Sequence, residues 1–184
     1  DNGGNIIKVY AADGTTLLAT TTAAADKSWS ISDSDYVTPI TDGQQILKVT
    51  ASDAGGESTA QNFNITVDTV GPRITSSGTA AAIDENSALG TTIYTVAADD
   101  IGGSGVKVNS FALSGTDAGS LTIDSATGAV TINSSPNFET KSSYSFTVAA
   151  TDEANNTTTK DVTLNINNLN EGSSTFEIRG TAQV

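Results

Sequence analysis

A pair of alternating segments that occurs twice in the chain restricts its possible folds most strongly. Residues 47–67 read LKVTASD, a Gly-Gly turn and then FNITV, and residues 146–166 repeat the pattern 99 residues later with FTVAATD, an Asn-Asn pair and VTLNI. In each copy apolar and polar side chains alternate, so that every second side chain faces the same side of a β-strand. Two such strands joined by a short turn predict a hairpin with one buried face. The chain is therefore predicted to be all-β, with the same hairpin in two successive domains.

Two polar stretches that follow these hairpins divide the sequence. The first runs from Asp68 to Pro72 and contains a Gly-Pro step, which ends a strand because proline lacks the N–H group that a sheet requires. The second runs from Asn167 to Gly172. We therefore predict one domain at 1–71, another at 72–171, and a linker or the start of a further repeat at 172–184.

Alternating and β-branched residues predict the other strands. In the first domain the predicted strands lie near 5–10, 16–22, 28–32, 45–52 and 60–67, with Trp29 expected in the core. In the second domain they lie near 74–76, 91–98, 106–113, 120–123, 129–132, 144–151 and 158–167. A β-sandwich has about seven strands, so the first domain is expected either to be truncated at its N-terminus or to be a variant that lacks a strand. Residues 175–179 also alternate, and they are a candidate to fill its open edge, from the same chain or from a neighbouring molecule.

The residue types that are absent restrict the chemistry. The chain has no Cys, His or Met, which excludes a disulfide framework, a zinc finger and a Ser-His-Asp triad. The 21 acidic against 8 basic residues give a net charge of −13. This charge disfavours nucleic acid and membrane partners, which bind clusters of Lys and Arg, and no apolar run approaches the length of a membrane span. Hard oxygen ligands favour Ca²⁺ or Mg²⁺, and we expect a monomer that is not an enzyme.

The second predicted domain resembles a cadherin-like repeat of large bacterial surface proteins. The resemblance rests on four motifs in family order, which are Asp84-Glu85-Asn86 before Gly90-Thr91, the hairpin LTIDSATGAV at 121–130, Asn137-Phe138-Glu139-Thr140 with Ala150-Thr151-Asp152, and Asn168-Leu169-Asn170-Glu171. The first predicted domain resembles a bacterial Ig-like repeat through Asp13-Gly14, Lys27-Ser28-Trp29-Ser30-Ile31, Asp42-Gly43 and the exit Asp68-Thr69-Val70-Gly71-Pro72. The resemblance implies two tandem antiparallel β-sandwiches, Ig-like followed by cadherin-like.

The pair resembles consecutive extender repeats of giant RTX-type bacterial adhesins. This resemblance implies an extracellular, cell-surface spacer that is stiffened by calcium and holds a ligand-binding tip for cell adhesion or biofilm formation. Its partners would be the neighbouring repeats of the same chain, and a host or surface ligand would be bound through other domains.

The cadherin resemblance also implies which residues bind calcium at the two ends of the second domain. At its C-terminal end these are Glu85, Glu139, Asn168, Asn170 and Glu171. At its N-terminal end they are Asp99, Asp100 and Asp152, facing Asp68, and Asp53 is the equivalent of Asp152 in the first domain. The simpler interpretation of a single Asp after a strand is a turn residue that accepts nearby backbone N–H groups, and we adopt it for Asp13, Asp42, Asp117 and Asp124.

Two other functions remain open at this stage. The chain is also compatible with a module that binds glycan or peptide through loops at one end of a sandwich. It is equally compatible with accessory domains of a secreted polysaccharide-active enzyme, whose catalytic domain would adjoin it in a longer chain.

Overall fold

The computed structural model describes residues 4–172 of the 184-residue chain. These residues form two compact units, and each unit combines several separate segments of the chain. The first unit contains the residues up to Thr75 together with Ala97–Ser110 and Ala149–Thr159. The second contains Ser76–Val96, Phe111–Val148 and the residues from Lys160 onward. The domain limits that we derive from the sequence stay a prediction, and the alternating segment 175–179 lies outside the described residues.

One antiparallel sheet dominates the first unit. Its strands are β1 (Ile6–Tyr10), β2 (Leu17–Thr22), β3 (Gly43–Asp53), β4 (Gly56–Glu57) and β5 (Gln61–Val67). Strand β1 lies between β2 and β3, and β3 pairs on its other side with β4 and β5. Alternation along the strands buries Ile7, Val9, Leu47 and Val49 in one cluster with Leu18 and Ala19, as expected for a sheet with one buried face.

The strand predicted near 28–32 is wrong, because this segment contains no strand. The residues before it form a local turn, in which Ala24 N–H donates to Ser28 O at 2.8 Å and the Asp26 carboxylate accepts from Ser28 N at 3.0 Å. These local bonds compete with ladder bonds for the same backbone groups. Trp29 is consequently 40% exposed, so its expected place in the core is also wrong.

The first unit also contains two further short strands and an isolated bridge. Strand β6 (Arg73–Ile74) pairs antiparallel with β9 (Ala98–Asp99), and Val106 forms an isolated bridge with Asp152. At Gly71 the backbone packs closely against Thr157 and Thr158. A Cβ atom at position 71 would lie 2.7 Å from Thr158 Oγ1 and 3.2 Å from the Thr157 carbonyl carbon.

The second unit holds the larger apolar core. Its strands are β7 (Ile83–Asp84), β8 (Thr92–Thr95), β10 (Ala112–Ser114), β11 (Leu121–Ile123) and β12 (Ala129–Ile132), together with parts of β13 (Ser143–Thr151) and β14 (Thr157–Asn167). They form a sheet of order β10-β13-β14-β7 and another of order β11-β12-β8. Strand β7 runs parallel to β14, whereas β12 pairs antiparallel with both β11 and β8. The Phe146 ring meets the Tyr94 ring edge-on at 6.0 Å.

The predicted all-β class is confirmed. Within residues 4–172 the only helical segments are two 3₁₀ turns, Asp33–Asp35 and Ala118–Ser120, and no helix there is long and apolar enough to cross a membrane. Of the individual strands, 129–132 matches β12, whereas the strand predicted at 106–113 is reduced to β10. Asn109, inside the predicted strand, has a positive φ angle of 58°, which an extended strand does not allow.

Candidate metal centre

Three aspartates from distant parts of the sequence come together in the first unit. Asp68 follows β5, Asp100 follows β9, and Asp152 follows β13. One carboxylate oxygen of each lies within 4.8 Å of the others. Within residues 4–172 this is the one group of three carboxylates that is so close. We call Asp68, Asp100 and Asp152 the aspartate cluster.

Asp152 is the most buried member of the aspartate cluster, with 0% exposure. Its position at the turn after β13 allows both carboxylate oxygens to bond the return strand. Asn156 donates its backbone N–H to Oδ1 at 2.8 Å and its side-chain Nδ2–H to Oδ2 at 2.9 Å. The same amide nitrogen also donates to the backbone carbonyl of Asp68 at 3.1 Å, and thereby ties the hairpin to the segment that follows β5.

Asp68 is fixed by the loop that carries Ser104. The Ser104 hydroxyl donates to Asp68 Oδ2 at 2.6 Å, and the Ser104 N–H donates to the same oxygen at 2.8 Å. These two bonds, the hydroxyl bond first, lower the pKa of the Asp68 carboxyl below its usual value because they stabilise the charged form. The Ser104 hydroxyl in turn accepts from Ala154 N–H at 3.0 Å, so Ser104 connects Asp68 to the hairpin that carries Asp152.

Asp100 is positioned by its own loop. Its Oδ2 accepts from Gly105 N–H at 2.6 Å. Gly103 lies directly beside this carboxylate, because a Cβ atom at position 103 would lie 2.5 Å from Asp100 Oδ1 and 2.6 Å from Oδ2. The absence of a side chain at Gly103 therefore leaves the space that the Asp100 carboxylate fills.

Asp99 has a different role from its neighbour. Its carboxylate forms an ion pair with Arg73, with Nη2 at 2.8 Å from Oδ2 and Nε at 3.2 Å from Oδ1. These contacts lower the pKa of the Asp99 carboxyl and raise that of the guanidinium. The bonds join the paired residues Arg73 of β6 and Asp99 of β9. Asp99 is thus occupied by a cation of the protein, whereas Asp100 belongs to the aspartate cluster.

The composition of the aspartate cluster fits a hard divalent cation. Calcium binds six to eight oxygens at about 2.3–2.6 Å, so two oxygens on opposite sides of one ion are about 5 Å apart, and a spread of 4.8 Å is compatible with this. The ion pairs of the described residues serve other carboxylates, namely Glu57, Asp99 and Asp117. Three carboxylates this close together, one of them buried, repel each other unless positive charge balances them.

A fourth aspartate borders the same hollow and was not among the predicted ligands. Asp42, Asp68 and Asp100 line one surface hollow of the first unit. Asp42 does not form the local turn that we predict for it. Instead its carboxylate accepts from the backbone N–H and the hydroxyl of Thr69, at 3.1 and 2.9 Å. The Asp42-Gly43 pair before a strand marks Asp42 in the sequence as a turn residue. The pair does not indicate that Asp42 bonds Thr69, which lies 27 positions away.

Hydrogen bonds hold the predicted C-terminal ligands in their loops, and one of these bonds joins two predicted ligands, Asn168 and Glu139. Glu85 is 1% exposed, and its two oxygens accept from Leu169 N at 2.7 Å and Phe138 N at 3.1 Å. These bonds, the one from Leu169 first, lower the pKa of Glu85. Other bonds join Asn168 Nδ2 to Glu139 at 3.1 Å, Asn86 Nδ2 to Glu171 at 3.0 Å, and Gly172 N to Asn170 Oδ1 at 3.2 Å.

Asp53 is the last residue of β3, at the start of the turn to β4. It is exposed, and its Oδ1 accepts from Gly55 N–H at 2.7 Å, which is the bond that a turn aspartate makes. Its assignment as a calcium ligand stays a prediction, as do the assignments of the other predicted ligands.

Part of the chain matches a known family. Residues 79–167 match the family model of the Cadherin domain, a family of adhesion modules, so this region is similar to a cadherin domain. The match includes Asp100 and Asp152 of the aspartate cluster, whereas Asp68 precedes it. A search of curated protein sequences gave no match.

Solved structures with a similar fold are cadherin ectodomain fragments of several successive domains. Protocadherin gammaB7 EC3-6 aligns with a TM-score of 0.50 and 17% identity over 70% of this chain and 34% of that one. Mouse cadherin-23 EC22-24 aligns at 0.48 and 22% identity, over 86% and 61%, and Drosophila N-cadherin EC1-3 at 0.48 and 19%, over 90% and 56%. The chain thus spans less than two thirds of each of these structures. The protocadherin alignment supports the cadherin-like sandwich fold.

Proposed function

We propose that the chain is a calcium-stiffened spacer from an extracellular adhesion protein, and that it separates a ligand-binding region from the surface that carries the protein. The observation that carries this proposal is the aspartate cluster. Asp68 lies in the predicted linker, while Asp100 and Asp152 belong to the region that matches the cadherin family. A cation held by all three would cross-link the linker to that domain.

The residues of the chain prepare this site before any ion binds. Asn156 and Ser104 hold Asp152 and Asp68 in place through N–H and O–H donors. Binding of an ion therefore requires little further ordering of these carboxylates. Bound calcium would supply positive charge that replaces the repulsion among three carboxylates. The linker would then lose freedom of movement relative to the hairpin that carries Asp152.

We further propose that the parent protein is a bacterial cell-surface adhesin of the RTX type. The support for this step is the resemblance of 1–71 to bacterial Ig-like repeats together with the cadherin-like region that follows. In such an adhesin the chain would form part of a tandem array that serves cell adhesion or biofilm formation, with the neighbouring repeats as its partners.

Thermal unfolding with and without calcium tests the proposal. We expect millimolar Ca²⁺ to raise Tm by roughly 5–10 °C over chelator-treated protein, because a ligand at a hundred times its Kd stabilises the folded state by about 2.7 kcal/mol. Mg²⁺ should have a smaller effect, since it demands stricter octahedral geometry. Asp152→Asn should remove most of the calcium response. The neighbouring exposed residue provides the matched control, Glu153→Gln, which should keep it.

A second variant tests the cluster without changing any ligand. In Gly103→Ala the new methyl group would meet the Asp100 carboxylate at 2.5 Å, so the carboxylate must move. We expect calcium affinity, measured by titration calorimetry, to fall about tenfold or more, with Tm in chelator nearly unchanged. Gly119→Ala, where a Cβ has nothing within 4 Å, should leave affinity unchanged. If calcium does not change the melting curve of the wild type, stiffening of the linker by calcium is refuted, and a ligand-binding or accessory module is favoured.

A further inference from the structure

Asp42 connects the first sheet to the segment that carries one member of the aspartate cluster. The register of the sheet places Gly43 of β3 opposite Val67 of β5. Asp42 and Asp68 therefore leave the last pair of the two strands side by side. The Asp42 carboxylate accepts from the backbone N–H of Thr69 at 3.1 Å, and the Thr69 hydroxyl lies 2.9 Å from each of its oxygens. These bonds extend the contact between β3 and β5 beyond the end of the ladder.

The contact fixes the backbone on both sides of Asp68. The preceding residue, Val67, is held by the ladder, and the following residue, Thr69, is held by Asp42. Each residue has only two soft backbone torsions, so ordering both neighbours leaves the Asp68 side chain few directions. In the structure this direction brings Asp68 Oδ2 to 2.8 Å from the backbone nitrogen of Ser104, which donates to it.

Asp42 itself is not a member of the aspartate cluster. It is exposed, and its two oxygens contact Thr69. Water and salt weaken the field of an exposed charge. The bonds to Thr69, and not the charge of Asp42, are therefore its main connection to the cluster.

We infer that Asp42 is a positioning residue of the aspartate cluster, which acts through Thr69 to orient the Asp68 carboxylate. Outer hydrogen bonds of this kind determine how well a metal ligand is held. Because Asp42 leads directly into β3, the linker would be tied on one side to the first sheet and on the other, through the ion, to the hairpin that carries Asp152. This inference rests on the proposed function, since the direction of Asp68 affects an ion only if the cluster binds one.

Two substitutions of Asp42 separate position from charge. Asp42→Asn removes the charge but keeps an oxygen that accepts from Thr69, whereas Asp42→Ala removes both. In calcium titration calorimetry we expect Asp42→Ala to weaken affinity about tenfold or more, as for other losses of an outer bond to a metal ligand. Asp42→Asn should weaken it no more than about threefold, the size of an exposed charge effect. The matched control, Asp13→Ala, removes the same charge and similar bonds to Thr16 in another turn, and should keep wild-type affinity.

Substitutions of Thr69 test the same bonds from the other side. Thr69→Val removes the hydroxyl and keeps the N–H, so its calcium affinity should lie between those of the wild type and Asp42→Ala. Thr69→Ser keeps both donors and should bind as the wild type does. Both variants retain Asp42, so they test the inference even if Asp42→Ala does not fold.

Hydrogen exchange of the Ser104 backbone amide, followed by NMR in chelator, measures the orientation of Asp68 without calcium. This N–H donates to Asp68, so its exchange should be about tenfold faster in Asp42→Ala, because loss of the bond opens the loop. Exchange should be unchanged in Asp42→Asn and Asp13→Ala.

The two measurements distinguish failure of the inference from failure of the proposed function. Equal losses of affinity in both Asp42 variants would assign the effect to charge and overturn the inference, and so would unchanged Ser104 exchange in Asp42→Ala. If the wild type binds no calcium, the proposed function fails, and the exchange rates alone decide whether Asp42 orients Asp68.

Discussion

At the scale of single residues, Asp117 shows how the backbone fixes the charge of a side chain. Its carboxylate accepts from Ser145 N–H at 2.7 Å and pairs with Lys141 at 2.9 Å. Both contacts lower the pKa of Asp117, the Ser145 bond being the larger cause. Because the folded pKa lies below the unfolded value, the bond stabilises the fold above that unfolded value of about 3.8 and loses this effect as pH falls through the folded pKa.

Acid unfolding should therefore be less steep when Asp117 is replaced. We expect Asp117→Asn to lower the free energy of unfolding by about 2 kcal/mol at neutral pH, the size of a hydrogen bond to a charged group. The difference from wild type should shrink as pH falls below about 4. Urea unfolding from about pH 3 to about pH 7 measures this.

Lys141→Gln is the control that separates the two contacts. It removes the ion pair but leaves the Ser145 bond, so most of the pH-dependent difference should persist. If Lys141→Gln flattens the profile as much as Asp117→Asn does, the ion pair and not the backbone bond determines the pKa.

The adjacent pair Asp99 and Asp100 marks how far sequence can predict the candidate site. The family pattern indicates that acidic residues gather here, and the structure brings Asp100 together with Asp68 and Asp152. It does not indicate that Asp99 pairs with Arg73, because that contact depends on β6 and β9 being aligned. The supporting donors Ser104 and Asn156 have no pattern of their own, since a serine or asparagine in a loop has many possible partners.

At the scale of elements, strand β14 buries every second side chain. Val162, Leu164 and Ile166 are 4% exposed or less, whereas the residues between them are exposed. This alternation is visible in the sequence, and it is the reason that β14 and β13 were predicted nearly to their ends. It follows that adjacent positions of β14 differ sharply in their tolerance of substitution.

Truncating two neighbours on β14 measures this difference. Leu164→Ala should lower the free energy of unfolding by roughly 2–5 kcal/mol, because it removes buried methyl groups and leaves a cavity. Thr163→Ala should change it by no more than about 0.5 kcal/mol, since its backbone bonds to Gly78 and Ala80 remain. Equal losses in chemical denaturation would show that burial does not distinguish the two faces.

The segment near Trp29 shows where such patterns fail. Residues 28–32 alternate as a strand does, yet they have no strand partner in the described structure. Alternation predicts which face a strand would bury, but pairing requires a neighbour with free backbone groups. That neighbour is a tertiary property, which local sequence does not contain.

At the scale of the whole molecule, the net charge of −13 opposes compaction. Like charges repel over the Debye length, which is about 10 Å at 0.1 M salt, and unfolding moves them apart. Folding is therefore achieved against this repulsion, and screening should favour the folded state.

Raising NaCl from about 0.05 to about 0.5 M in calcium-free buffer should thus raise Tm by a few degrees. Choline chloride at the same concentrations is the control, because it screens equally without a small cation that carboxylates can bind. A rise with NaCl alone would assign the effect to sodium binding, and no rise with either salt would contradict repulsion as a cost of folding.

The close approach at Gly71 has a consequence for how such chains change over generations. Any side chain at position 71 would collide with Thr157 and Thr158, whereas the neighbouring Val70 is 63% exposed. Mutations at one codon would be removed by selection, and those at the next would accumulate. In copies of this unit that have diverged from a common ancestor, an unchanging glycine should therefore stand directly beside one of the most variable positions.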